Sequence, residues 1–129
     1  MKLTSNKTVV NKSQEELFNF VTNLENFREL MPENISKFEV DGESFIFSIN
    51  GMPEIRLVIT DKQPNNKLTL AAASSKLDFT LDILINSLTE TTSEVELLFN
   101  GDFNPMMAMM VKKPLQNFIN ELAENAKNL

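Results

Sequence analysis

From Ile35 onward apolar and polar residues alternate for about 70 residues, and over residues 105 to 127 the period then changes to that of a helix. Period-2 alternation places successive side chains on opposite faces of a sheet, so a long run broken by turn residues predicts an antiparallel meander with one wet face. The turns are written in the chain. Asp41-Gly42 and Asn50-Gly51 are dipeptides favoured in two-residue hairpins, where both positions of a type I′ turn need positive φ. "QPNNK" at 63 to 67 and "TETTSE" at 89 to 94 supply looser turns. Six strands are therefore predicted after residue 35. Their apolar members share a face: Phe45, Phe47 and Ile49; Ile55, Leu57 and Ile59; Leu68, Leu70 and Ala72; Leu77, Phe79, Leu81, Ile83 and Ile85; Val95, Leu97 and Phe99. Ser44, Ser48, Arg56, Thr60, Asp78, Thr80, Asp82, Glu94 and Glu96 take the opposite one.

Such a sheet must cover its apolar face, and the one long helix available is 105 to 127, with Asn104 as cap and Pro105 at its first position. Ahead of the meander, residues 2 to 10 read as a first strand. Ser13 and Glu16 then form a capping box for a helix with Leu17, Phe20, Val21 and Leu24 on one side. Asn23 can cap a second short helix carrying Phe27, Leu30 and Met31, which Pro32 ends. At 129 residues, without repeat or linker, 1 to 129 is read as one domain.

This order resembles the helix-grip fold of the START-like and birch-pollen-allergen-like superfamily, which includes polyketide cyclase/dehydrase-like and coenzyme Q-binding members. It is carried by "SQEELFNFVTNLENFRELMP" entering the meander and by "GDFNPMMAMMVKKPLQNFINELAENA" leaving it. The resemblance implies an α+β domain in which a curved seven-stranded antiparallel sheet wraps around the C-terminal helix. It also implies an apolar cavity between them that holds a lipid, quinone, polyketide or other hydrophobic molecule. No catalytic motif is carried over, because fold alone does not assign chemistry.

The residues narrow the chemistry by what they lack. Without histidine, cysteine, tyrosine or tryptophan, the chain has no base poised near neutrality, no thiolate, no thiolate or imidazole metal ligand and no phenol donor. No catalytic residue, metal site or cofactor is assigned. Asp78 and Asp82 share a strand face, but it is the wet one, and "DGESF" and "DKQPNN" offer too few convergent oxygens for a hard cation. A net charge of −6, with Lys112-Lys113 as the one basic cluster, disfavours nucleic acid. No apolar run approaches a membrane span and no signal-peptide pattern opens the chain, so a cytoplasmic protein, monomer or homodimer, is expected.

The expected ligand wall comprises Phe47, Leu57, Leu70, Ala72, Phe79, Leu81, Leu97 and Phe99 from the sheet, with Met107, Met110, Val111 and Leu115 from the helix. Small side chains in "AAASS" at 71 to 75 either leave room for a ligand or admit a larger residue opposite. Arg28, in the second short helix, is the arginine best placed to meet a ligand carboxylate or enolate, as "NGMP" at 50 to 53 is placed to border the mouth. On a helical wheel Val111, Leu115, Phe118, Leu122 and Ala126 form the gripping stripe. Met106, Met107, Met109 and Met110 spread over an adjoining arc of about 160°, and of these Met107 joins the stripe, with Met110 ranked next and Met109 last. Pro114 is expected to kink this helix. Three uses remain open for the methionines: core filler, adaptable gate, or exposed partner patch. The expected function is hydrophobic-ligand binding. The alternatives are a cyclase/dehydrase-type enzyme that shapes a flexible substrate and a ligand-free interaction module.

Overall fold

The computed structural model describes residues 1–49, 52–73 and 78–129. Its elements, in chain order, are β1 (Lys2–Thr4), β2 (Thr8–Val10), α1 (Gln14–Thr22), a 3₁₀ helix (Leu24–Glu29), β3 (Ile35–Asp41), β4 (Ser44–Ile49), β5 (Ile55–Gln63), β6 (Lys67–Ala72), β7 (Phe79–Ser87), β8 (Ser93–Gly101) and α2 (Pro105–Ala126). The strands form one antiparallel sheet in the order β1-β8-β7-β6-β5-β4-β3, with β2 continuing β1 along the edge of β8. The meander and the covering helix are as the alternation predicts.

The sheet has eight strands where seven were expected, because the first is interrupted. Thr4 pairs with Leu98 and Thr8 with Val95, so four steps of the edge match three of β8. This is a one-residue bulge. The Ser5 hydroxyl accepts the Leu97 N–H at 2.9 Å, while Gln116 donates to the Thr4 carbonyl and Asn120 accepts the Asn6 N–H. Side chains of α2 thus satisfy backbone groups that the bulge frees.

Local chemistry accounts for the connections. Gly42 has φ +62° and lies at the first central position of the β3–β4 hairpin, between the paired Asp41 and Ser44. Glu43 is not among the positive-φ residues, so the turn is not the type I′ expected from Asp41-Gly42. Asn65 adopts φ 69° in the β5–β6 turn, as Asn tolerates. The Asn50-Gly51 hairpin, Ser74 and Ser75 of "AAASS", and strand residue Leu77 lie outside the described residues.

Ser13 caps α1 as predicted, its side chain accepting from Glu16 N–H while the Glu16 carboxylate accepts from Ser13 N–H. Leu17 and Val21 point inward, but the third buried position is Phe18 and Phe20 is half-buried. The second short helix is 3₁₀ and is capped at its C-terminus by Leu30, whose carbonyl accepts from Asn125 of α2 at 2.9 Å. Helix α2 runs continuously through Pro114. Proline leaves the Met110 carbonyl without its helical donor. Val111, Leu115, Phe118, Ile119, Leu122, Ala123 and Ala126 form the buried face of α2, wider than the five-residue stripe by Ile119 and Ala123.

Candidate functional site

Antiparallel connection brings the ends of β4, β6 and β8 and the starts of β5 and β7 to one end of the sheet. Strand β8 passes into α2 there through Asp102–Asn104, so the first turns of α2 stand at that same end. Ile49, Ile55 and Phe79 are buried there. Met52, Ala72, Phe103 and Met107 pack on the core only partly covered. The interior edge at this end is thus closed by small or flexible apolar groups.

Deeper in, the expected wall residues form a continuous apolar core: Phe47, Leu57, Leu70, Phe79, Leu81, Leu97, Phe99, Val111 and Leu115 are all buried. Phe47 stacks on Phe118 of α2 with centroids 4.9 Å apart and rings 8° from parallel. Phe99 joins Phe79 at 4.7 Å and Phe103 at 6.1 Å, carrying the aromatic row out to the partly covered end. Phe103 and Met52 were missed by sequence reasoning. Phe103 was legible, since it continues the period of Val95, Leu97, Phe99 and Gly101; Met52 lies in a turn and carries no period.

Two expected wall residues are on the surface. Met110 is 68% exposed, because its position on the wheel lies away from the Val111–Leu115 face. Arg28 pairs with Glu25 at 3.3 Å, with its side chain 56% exposed, and its guanidinium lies 4.8 Å over the Phe38 ring. A 3₁₀ turn points it outward while Leu24 and Phe27 point in.

The interior is closely filled. A void of about 10 Å³ among the described residues is lined by Leu17, Val21, Phe27, Ile83, Leu122 and Ala126 among others, beside α1 and the far end of α2. That is about the room of one water, with no polar partner to hold it. Among the described residues no buried side-chain polar atom lacks a partner, and no group of three acidic, histidine or cysteine side chains converges. Asp78 is exposed, and Asp82 on the outer face accepts the Thr69 hydroxyl at 2.7 Å. The two groups with resolved shifts lie elsewhere: the Ser13 backbone N–H and hydroxyl hold Glu16 below the usual carboxylate range, and hydrogen bonding to Glu54, with Glu39 nearby, raises Lys37. Among the described residues, no helix is long and apolar enough to cross a membrane.

A closely packed, predominantly apolar core between an antiparallel meander and one long helix defines an α+β helix-grip domain. No protein-family model and no curated sequence matches the chain. Solved structures do. A START superfamily protein from Mycobacterium smegmatis aligns with a TM-score of 0.72 at 11% identity, over 98% of this chain and 94% of that one. Norcoclaurine synthase from Thalictrum flavum, in complex with dopamine and hydroxybenzaldehyde, aligns at 0.74 and 9% identity, over 99% and 84%. XoxI from Bacillus cereus aligns at 0.70 and 11% identity, over 98% and 95%. The chain has the START/birch-pollen-allergen-like helix-grip fold.

Proposed function

We propose that the protein binds a hydrophobic small molecule between the sheet and α2, entering where Met52, Ala72, Phe103 and Met107 only partly cover the core. The observation that carries this reading is that partly covered edge: apolar groups, two of them methionines, leading into an interior with no ionisable side chain among the described residues. Thioethers change rotamer at little energetic penalty, so Met52 and Met107 can swing aside where branched side chains would not. The ligand is lipid-, quinone- or polyketide-like in being mostly apolar, since nothing inside can pair with a charge. Residues Phe47, Leu57, Leu70, Phe79, Leu81, Leu97, Phe99, Val111 and Leu115 form its wall. The norcoclaurine synthase complex supports the reading only in that a protein of the same fold is found with dopamine and hydroxybenzaldehyde.

An interior void of about 10 Å³ requires that this binding be coupled to opening. Native mass spectrometry before and after organic extraction, with titration of an apolar fluorescent probe, tests it. A carried mass or saturable probe uptake is expected. No carried mass and no uptake would instead favour a second reading, a ligand-free interaction module, for which the same filled core speaks. A catalytic role is not proposed, because among the described residues no ionisable side chain is placed in the interior.

A further inference from the structure

The outer face of α2 has two unlike ends. Toward its start, Met106, Met109 and Met110 are 75%, 84% and 68% exposed. Lys112 and Lys113 follow them, and neither enters an ion pair among the described residues. Toward its finish, the loop Met31–Asn34 and the side of α2 frame a surface groove of about 460 Å³ lined by Met31, Pro32, Glu33, Asn34, Glu121 and Asn125. Glu33 and Glu121 have no cationic partner among the described residues. At 100° per residue, Met106, Met110, Lys113, Asn117, Glu121 and Glu124 lie along one outward strip. Exposed methionines with lysines toward the start, and an acidic groove toward the finish, therefore both border this outward strip.

We infer that this face is a two-fold interface with a second copy of the same chain. Antiparallel apposition of two α2 helices about a point near Asn117 sets Lys113 of each copy opposite Glu121 of the other. Met110 of each copy then meets the groove of the other, at the level of Glu121 and Asn125. An unrelated partner meeting one end would leave the other unmatched, whereas an isologous contact satisfies both ends twice. Flexible thioethers suit an irregular groove of this kind. One helix face and one loop form a contact at the low end of the size of specific interfaces, about 1,200 Å² in total, so the dimer is concentration-dependent. Exposed charge pairs make it salt-sensitive. None of this depends on the interior holding a ligand.

Sedimentation velocity on the full chain, at low salt and from micromolar to millimolar concentration, is the test. The wild type should pass from monomer to dimer. Lys113→Glu and Glu121→Lys should each weaken self-association at least about tenfold, and the double variant should restore it, because the exchanged charges again face each other. Both positions are exposed, and circular dichroism checks that each variant is folded. A wild-type monomer throughout, a dimer indifferent to both single changes, or a double variant that fails to recover would each overturn the interface. So would a monomer that co-sediments with phosphatidylcholine/phosphatidylglycerol vesicles through Lys113, which would assign the face to a lipid surface.

Discussion

Gly101 ends β8 where the aromatic row leaves the core, and it is a glycine for lack of room. A Cβ there would lie 2.8 and 2.9 Å from the far ring atoms of Phe103 and 3.1 Å from Phe99. Phe103 is half-buried and can turn outward; Phe99 is buried and cannot. Gly101→Ala should therefore lose about 1–3 kcal/mol by overpacking. Adding Phe103→Leu should recover part of that loss, a coupling that urea denaturation of the two single variants and the double would show. Gly42 is the opposite case, with open space around its Cβ and φ +62°. Gly42→Ala should lose about 1 kcal/mol through backbone strain alone, with no rescue by any neighbour. Sequence reasoning placed Gly42 in a turn from its dipeptide. It could not find Gly101, whose constraint comes from two rings brought together by the meander.

At the scale of elements, alternation and caps were legible because they are local. The meander from Ile35, the Ser13 box and the Asn104–Pro105 start of α2 all stand as read. The bulge at Ser5 was not legible, since it exists through Leu97 across the sheet and through Gln116 and Asn120 on α2. The inward turn of Phe18 instead of Phe20 is likewise set by what α1 packs against. The α1 cap carries a pH signature. Folding lowers the Glu16 pKa through the Ser13 backbone N–H and hydroxyl, so its contribution is full above the unfolded carboxylate value and lost as pH falls through the folded one. Glu16→Gln keeps an acceptor but not the charge. The stability difference between wild type and Glu16→Gln should thus be largest near pH 7 and vanish toward pH 2, as urea midpoints at the two pH values would report. A difference that grows on acidification would remove the cap from this account.

For the whole molecule, the question is whether α2 grips a core or closes a container, and the two ends of the helix answer separately. The buried positions from which the candidate wall is drawn were largely legible, because the buried stripe of α2 and the inner faces of the strands follow periodicity. The wheel ranked Met107 first and Met110 next; Met107 packs on the core and Met110 is exposed. Phe118, mid-helix, stacks flat on Phe47 and is buried. Phe118→Ala should lose about 3–5 kcal/mol, because the surrounding rings and aliphatics cannot collapse into so large a space. Met107 packs on the core at the partly covered end, so Met107→Ala should lose far less, about 1 kcal/mol. Met110→Ala, on an exposed side chain, should lose almost nothing. If α2 closes a container, Met107→Ala changes apolar-probe affinity several-fold while the urea midpoint moves only as the loss of about 1 kcal/mol requires, and Met110→Ala leaves both unchanged. If α2 only grips a core, probe uptake stays negligible in all three variants and stability alone follows burial, from Phe118 through Met107 to Met110. Titrating one probe against these variants, alongside their denaturation curves, separates the two roles.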